Sequence, residues 1–279
     1  MATHVLAFGD VSFEVDAAVG GRITALRLAG RNLLTGPETD PGNYGSTFWT
    51  SPQAVWGWPS IPEIDHAPYK VVTAGPDEIV LRGATSPRLG LSVDKRFAID
   101  PAHGAVRQTF TIHNHGSEPV ATAPWQITRV TAGGLTFFPT GMGTFAPSNL
   151  TVREAQGVTW YPFDPAEVTG HHKLFADCAE GWLAHVDRDA LLVKTFAHVP
   201  RSLHAPGEAQ VEIYASPAHN YVEVEPQGAY ETIAPGGTSV WKVSWLVHKL
   251  PLDIVASLGS AQLVTYVRSL VVADTGATF

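Results

Sequence analysis

Between residues 70 and 115 the sequence runs in short alternating pieces. Lys70-Val71-Val72, Glu78 to Arg82, Leu91 to Ile99 and Val106 to Ile112 place apolar and polar side chains at alternate positions, with Gly, Pro and Asp between them. A period of two is that of a half-buried strand, and turn residues at this spacing join successive strands into an antiparallel meander. The same texture continues on both sides. Residues 5 to 34 read as two strands about a Gly20-Gly21 turn, and Asn114 to Pro119 turns into a strand over Val120 to Val130. Gly181 to His185 and Ala190 to Phe196 form a further hairpin. With 26 glycines and 21 prolines in 279 residues and few Ala/Leu/Glu/Lys runs, the fold class is mainly β. The length is that of one all-β unit, so a single antiparallel β-sandwich domain is expected over residues 1–279. Only the tail reads as helical. Pro251 followed by Ile254, Val255, Leu258, Leu263, Val267 and Leu270 predicts one C-terminal helix over about residues 251–272, laid on a sheet face or edge.

Two segments break the alternation. Residues 37 to 69 hold Pro41-Gly42-Asn43-Tyr44-Gly45, Phe48-Trp49 and Trp56-Gly57-Trp58-Pro59, and are read as a long irregular loop dense in aromatics. Such loops are functional or disordered, and aromatic content argues against disorder. Flat indole faces suit the CH-rich face of a sugar ring, and equally suit plugging a sandwich end. Residues 133 to 170, with Trp160-Tyr161-Pro162-Phe163, are read as a second loop region.

Charge narrows the partner. A net charge of -8 with 18 Lys+Arg and no basic cluster lacks the footprint of a protein that binds nucleic acid or an anionic membrane. A neutral or polar small molecule fits better. No run reaches the length of a membrane span and no basic-then-apolar leader opens the chain, so a cytoplasmic setting is expected. Cys178 is the one cysteine, which excludes an internal disulfide and a cysteine metal motif. No Walker loop or dinucleotide fingerprint is present, and no metal or cofactor is expected. Nothing in the residues fixes the oligomeric state.

The chemistry concentrates in one stretch. In Tyr221-Val222-Glu223-Val224-Glu225-Pro226-Gln227 strand alternation puts Tyr221, Glu223 and Glu225 on one face, the two acids roughly 7 Å apart, and Val222 and Val224 on the other. Trp241 and Trp245 on the next strand suggest partly dry, aromatic surroundings. On the strand after the Asn114 turn, Trp125, Ile127 and Arg129 share a face. Arg129 there either binds a sugar hydroxyl or carboxylate, or lies along the sheet paired with an acid. His171 and His172 point to opposite sides of an extended chain, so at most one faces a given pocket.

This order of signals resembles the galactose mutarotase (aldose 1-epimerase) superfamily. The residues that carry the resemblance are Gly20 to Leu26, Phe110 to Val120, Tyr221 to Gln227 and Ala234 to Gly237, with Phe48 to Pro52 and Pro124 to Ile127 resembling an uncharacterised branch. It implies a β-supersandwich with the sugar site in a concave face. It also implies acid–base chemistry at an anomeric centre, with Glu225, followed two residues on by Gln227, as general base and His172 or His171 as general acid. Trp49, Trp58, Trp125, Arg129, His171, Glu223 and Gln227 are the residues expected to bind the carbohydrate, the indoles through their flat faces and Arg129 through its guanidinium. One departure stands out: a second family histidine is expected near Pro124-Trp125 and is absent. The expected function is therefore a sugar epimerase or mutarotase-like isomerase, with a carbohydrate-binding protein without turnover as the alternative.

Overall fold

The computed structural model describes residues 3–145, 149–170 and 172–278. Among these, twenty strands pair into one continuous antiparallel network. Its pairings resolve into two layers. The first runs from Thr3–Phe8 through Val11–Asp16, Arg22–Leu28, Ser46–Ser51, Val120–Thr131, Tyr221–Pro226 and Val211–Ala215 to His172–Cys178. The second runs from Lys70–Ala74 through Glu78–Arg82, Leu91–Asp100, Ala105–Asn114, Thr238–Lys249 and Ala190–Phe196 to Trp182–Asp187. The strand Leu135–Phe145 belongs to both: its first part pairs with Trp182–Asp187 and its second with His172–Cys178.

Alternation sorts the side chains of the first layer. Val222, Val224, Ile213, Leu174 and Phe48 point inward to the other sheet, where Phe48 stacks on Phe110 at 4.7 Å and Phe13 meets Trp245 edge-on at 5.9 Å. Aromatic pairs in these geometries add about 0.5–1.5 kcal/mol beyond their area burial. The interior also holds polar groups with partners of their own. Trp245 Nε1 donates to Gln126 Oε1 at 2.9 Å, and Lys194 Nζ donates to Thr128 Oγ1 at 2.6 Å and to the Val224 carbonyl at 2.7 Å. Burial pushes the Lys194 amine well below its ordinary range. Residues of the opposite parity in this layer, among them Trp49, Trp125, Arg129, Lys173, Glu223 and Glu225, face away from the second sheet. That outer face carries the candidate site.

The outer face of the second layer is covered by a helix, Ala261–Thr275. Leu263, Val264, Val267 and Val271 pack there against Phe137, Trp160, Trp182, Leu191 and Leu246. The helix therefore begins ten residues later than the apolar stripe predicts. Ser260 is its N-cap, with Oγ accepting from the Leu263 amide, and Gly259 in a left-handed conformation separates it from the turns that follow Pro251. Ile254 supplies an apolar contact at helical spacing without helical backbone. A single-turn helix, Pro62–Asp65, also lies outside the prediction.

Neither long loop is irregular throughout. Residues 37–69 contain the strand Ser46–Ser51, and residues 133–170 contain Leu135–Phe145 and Val158–Pro162. Ser46–Ser51 is buried on both faces, as are the first four residues of Val158–Pro162. A strand covered on both sides has no need to alternate, which removes the signal that marks the other strands.

Candidate functional site

A cavity of about 630 Å³ opens on the outer face of the first layer. Its aromatic wall is Trp49, Trp58 and Trp125, together with Tyr214 and Tyr221. Trp49 is central, meeting Trp56, Trp58 and Trp125 edge-on at 5.3 to 5.9 Å. Its indole Nε1 donates to Asp65 Oδ1 at 2.9 Å, and Ser60 Oγ donates to the other oxygen of the same carboxylate at 2.7 Å. Burial alone would raise the Asp65 carboxyl, but Arg22, Ser60 and Trp49 overcome it and hold it below the ordinary range. An ionised Asp65 thus fixes the ring around which the wall is built. Trp58 is 63% exposed and stands at the mouth.

The polar wall comes from neighbouring strands in register. Arg129 lies opposite Glu223 across the strand pair, and its Nε sits 2.8 Å from Glu223 Oε1. Arg129 is 1% exposed, and its guanidinium lies 5.7 Å over the Trp49 ring. Gly45 helps to place it: the Gly45 carbonyl accepts from the Arg129 amide at 2.9 Å. Gly45 adopts φ 61°, and a Cβ there would fall 2.2 Å from the Ile23 carbonyl oxygen, so only glycine fits. Two loops form the rim. One carries Asp40 and Asn43, the other Ser216 to Ala218, and Asn220 Nδ2 ties them by donating to the Thr39 carbonyl at 3.2 Å.

Lys173 completes the wall, with its ammonium 4.7 Å over the Trp125 ring. Behind it lie two carboxyls with no exposed surface. Glu212 Oε2 is 2.6 Å from Lys173 Nζ, and Glu225 Oε2 is 3.4 Å away. Glu212 Oε1 also accepts from the Ala209 amide at 3.0 Å and from Gln227 Nε2 at 2.8 Å. Glu225 Oε1 has no hydrogen-bond partner. Burial works against the charged lysine, yet the two carboxyls outweigh it and hold Lys173 above its ordinary range. One cation cannot neutralise two buried acids. Burial accordingly drives Glu212 well above the carboxylate range and takes Glu225 to about 7, against the pull of Lys173.

The residues expected from the sequence are placed as follows. Trp49, Trp58, Trp125, Arg129 and Glu223 meet at the cavity. Glu225 shares their face but is sealed behind Lys173, and Gln227 holds Glu212 in place. His172 shares the inward parity of Leu174 and Ala176 and does not line the cavity; its Nε2 accepts from the Thr169 amide at 3.3 Å. His171 lies outside the described residues. Lys173, Tyr214 and the rim residues Asp40, Gln53 and Ser216 lacked a predicted role. For Lys173 a signal existed: opposite sides for consecutive residues mean that an inward His172 turns Lys173 outward, toward Tyr214, its register partner. Among the described residues no group of acids, histidines and cysteine is arranged to hold a metal, and no helix is long and apolar enough to cross a membrane.

This two-layer fold is that of the galactose mutarotase-like proteins. A galactose mutarotase related enzyme from Lactobacillus acidophilus superposes with a TM-score of 0.61 at 8% identity, over 91% of this chain and 99% of that one. Galactose mutarotase-like proteins from Lactobacillus casei and Clostridium acetobutylicum each superpose with a TM-score of 0.60 at 11% identity. They cover 88% and 89% of this chain, and 100% and 95% of their own. Within that fold, the chain belongs to the family described as a domain of unknown function (DUF4380), whose model matches residues 35–248. No curated protein sequence matches it.

Proposed function

We propose that the protein binds a carbohydrate in the tryptophan-lined cavity. The observation that carries this reading is the convergence, in one cavity of about 630 Å³, of three indole rings with the Arg129–Glu223 pair. The rings offer flat apolar faces to the CH groups of a pyranose. The pair offers donors and an acceptor to its hydroxyls, the mix of apolar wall and few oriented polar groups that small-molecule sites use. A cytosolic setting belongs to the same proposal, motivated by the single buried thiol, Cys178. The test is a titration of tryptophan fluorescence with a panel of mono- and oligosaccharides. Saturable change with at least one sugar, weakened by Trp58→Ala, supports the reading; no response to any sugar removes it.

A second reading, sugar isomerisation by proton transfer, is favoured by Glu225. Its carboxyl has a free oxygen, sits against Lys173, and is pushed up by burial to about 7, where a general base works best. Glu225 would then reach a substrate only when Lys173 swings aside, and no histidine among the described residues lines the cavity to act as its acid. Anomer exchange of freshly dissolved aldoses followed by NMR separates the two readings: acceleration lost in Glu225→Gln supports isomerisation, and rates unchanged across the panel leave binding without turnover.

A further inference from the structure

The donor groups of the cavity exceed what its own acceptors satisfy. Arg129 uses only Nε toward Glu223, and Nη1 is buried with no hydrogen-bond partner. The terminal edge of a guanidinium is the part that receives a planar oxyanion with two parallel hydrogen bonds. Trp125 is 1% exposed and lines the same cavity, and its Nε1 is likewise buried without a partner. Lys173 also lines the cavity with 23% of its side chain accessible, and of its three N–H groups Glu212 and Glu225 engage two. Two buried donors on the wall, Arg129 Nη1 and Trp125 Nε1, are left unmatched, which is costly, so the arrangement implies a ligand rich in acceptors.

The acceptors on the wall limit how much negative charge such a ligand can bring. Glu223 faces the cavity, and Asp40 stands at its rim with its oxygens already accepting from the Gly42 and Asn43 amides and the Asn43 side chain. A single negative charge finds Arg129 and Lys173; a second meets these two carboxylates. We propose that the ligand is a sugar carrying one carboxylate, of the uronic or aldonic acid class, with the carboxylate on the terminal edge of Arg129 and the ammonium of Lys173 and the ring against Trp49 and Trp58. This rests on the carbohydrate reading above and adds the substrate class.

Isothermal titration of the full chain with glucuronate and galacturonate, with glucose and galactose, and with the two hexose 6-phosphates tests it. A charge-assisted contact to a buried guanidinium leads us to expect at least one uronate to bind roughly 10-fold or more tighter than its neutral parent. That preference should exceed the one shown for the phosphates and fall as salt is raised. Because Arg129→Gln alone leaves Glu223 buried without its cation, the Arg129→Gln, Glu223→Gln double variant is measured as well, its folding checked by circular dichroism. In both variants the ratio of neutral-sugar to uronate dissociation constants should collapse toward one. Equal affinity for uronate and neutral parent, tighter binding of a phosphate, or a ratio unchanged in the folded double variant overturns the acidic-sugar proposal while leaving carbohydrate binding intact. Silence toward every sugar overturns both.

Discussion

Replacing Lys173 by Met probes the charge cluster behind the cavity. The change keeps an apolar stem of similar length against Trp125 but removes the one ammonium between Glu212 and Glu225. Taking one partner out of a buried ion pair costs about 3–5 kcal/mol, because the remaining charge is stranded in a medium that solvates it poorly. Here two carboxyls are stranded, and they escape by binding protons. The cost therefore depends on pH. At pH 8 both acids must be neutralised against the solvent, and the full loss of about 3–5 kcal/mol is expected in urea denaturation. At pH 5 burial already favours the protonated forms of Glu212 and Glu225, and the loss should shrink to about 1 kcal/mol, the scale of an ordinary hydrogen bond. Adding Glu212→Gln and Glu225→Gln to Lys173→Met should restore most of the stability at pH 8. An equal loss at pH 5 and pH 8, or no recovery in the triple variant, would refute the assignment of Lys173 as the counter-charge to this pair.

Further expectations concern single groups. The Glu225 carboxyl has a folded pKa of about 7 against an unfolded value near 4.5, so the folded state binds the extra proton between these limits. The associated stability is fully present below pH 4.5 and is lost as pH rises through 7, amounting to roughly 3 kcal/mol, and Glu225→Gln should flatten that slope in denaturation curves taken from pH 4.5 to 8. Lys95, whose ammonium donates to the Gly20 carbonyl at 2.6 Å, is lowered by burial to about 7. The unfolded state then holds more protons between pH 7 and 10, so stability should rise over that range, and less steeply in Lys95→Met. His172→Leu should leave sugar binding unchanged in the fluorescence titration, because the imidazole shares the inward face of its strand. Ser260→Ala should cost about 1 kcal/mol in the same denaturation assay by removing the cap of the C-terminal helix.

What the sequence reveals depends on how each residue is covered. Leu91 to Ile99 and Val106 to Ile112 alternate because one face of each strand is dry and the other wetter, and both are strands in the structure. Ser46–Ser51 carries Trp49 at the centre of the cavity, yet it reads as loop because both of its faces are buried. The acids on Tyr221–Pro226 do share one face. Alternation cannot tell them apart, because it does not show that Lys173, more than 50 residues earlier, lies over Glu225 while Glu223 lines the cavity. Arg129 and Glu223 become partners only through the register of two strands that the sequence separates by some 90 residues. The late start of the helix turns on Gly259 and Ser260, which an apolar stripe running from Pro251 masks.

The central claim, a carbohydrate held against Trp49, Trp58 and Trp125, is tested most directly by a crystal soaked with the sugar that binds tightest in titration. The expected result is a pyranose with its CH face on an indole of the cavity and its polar groups within hydrogen-bond distance of Arg129 and Glu223. A sugar bound elsewhere on the protein, with the cavity empty at a saturating concentration, would contradict it.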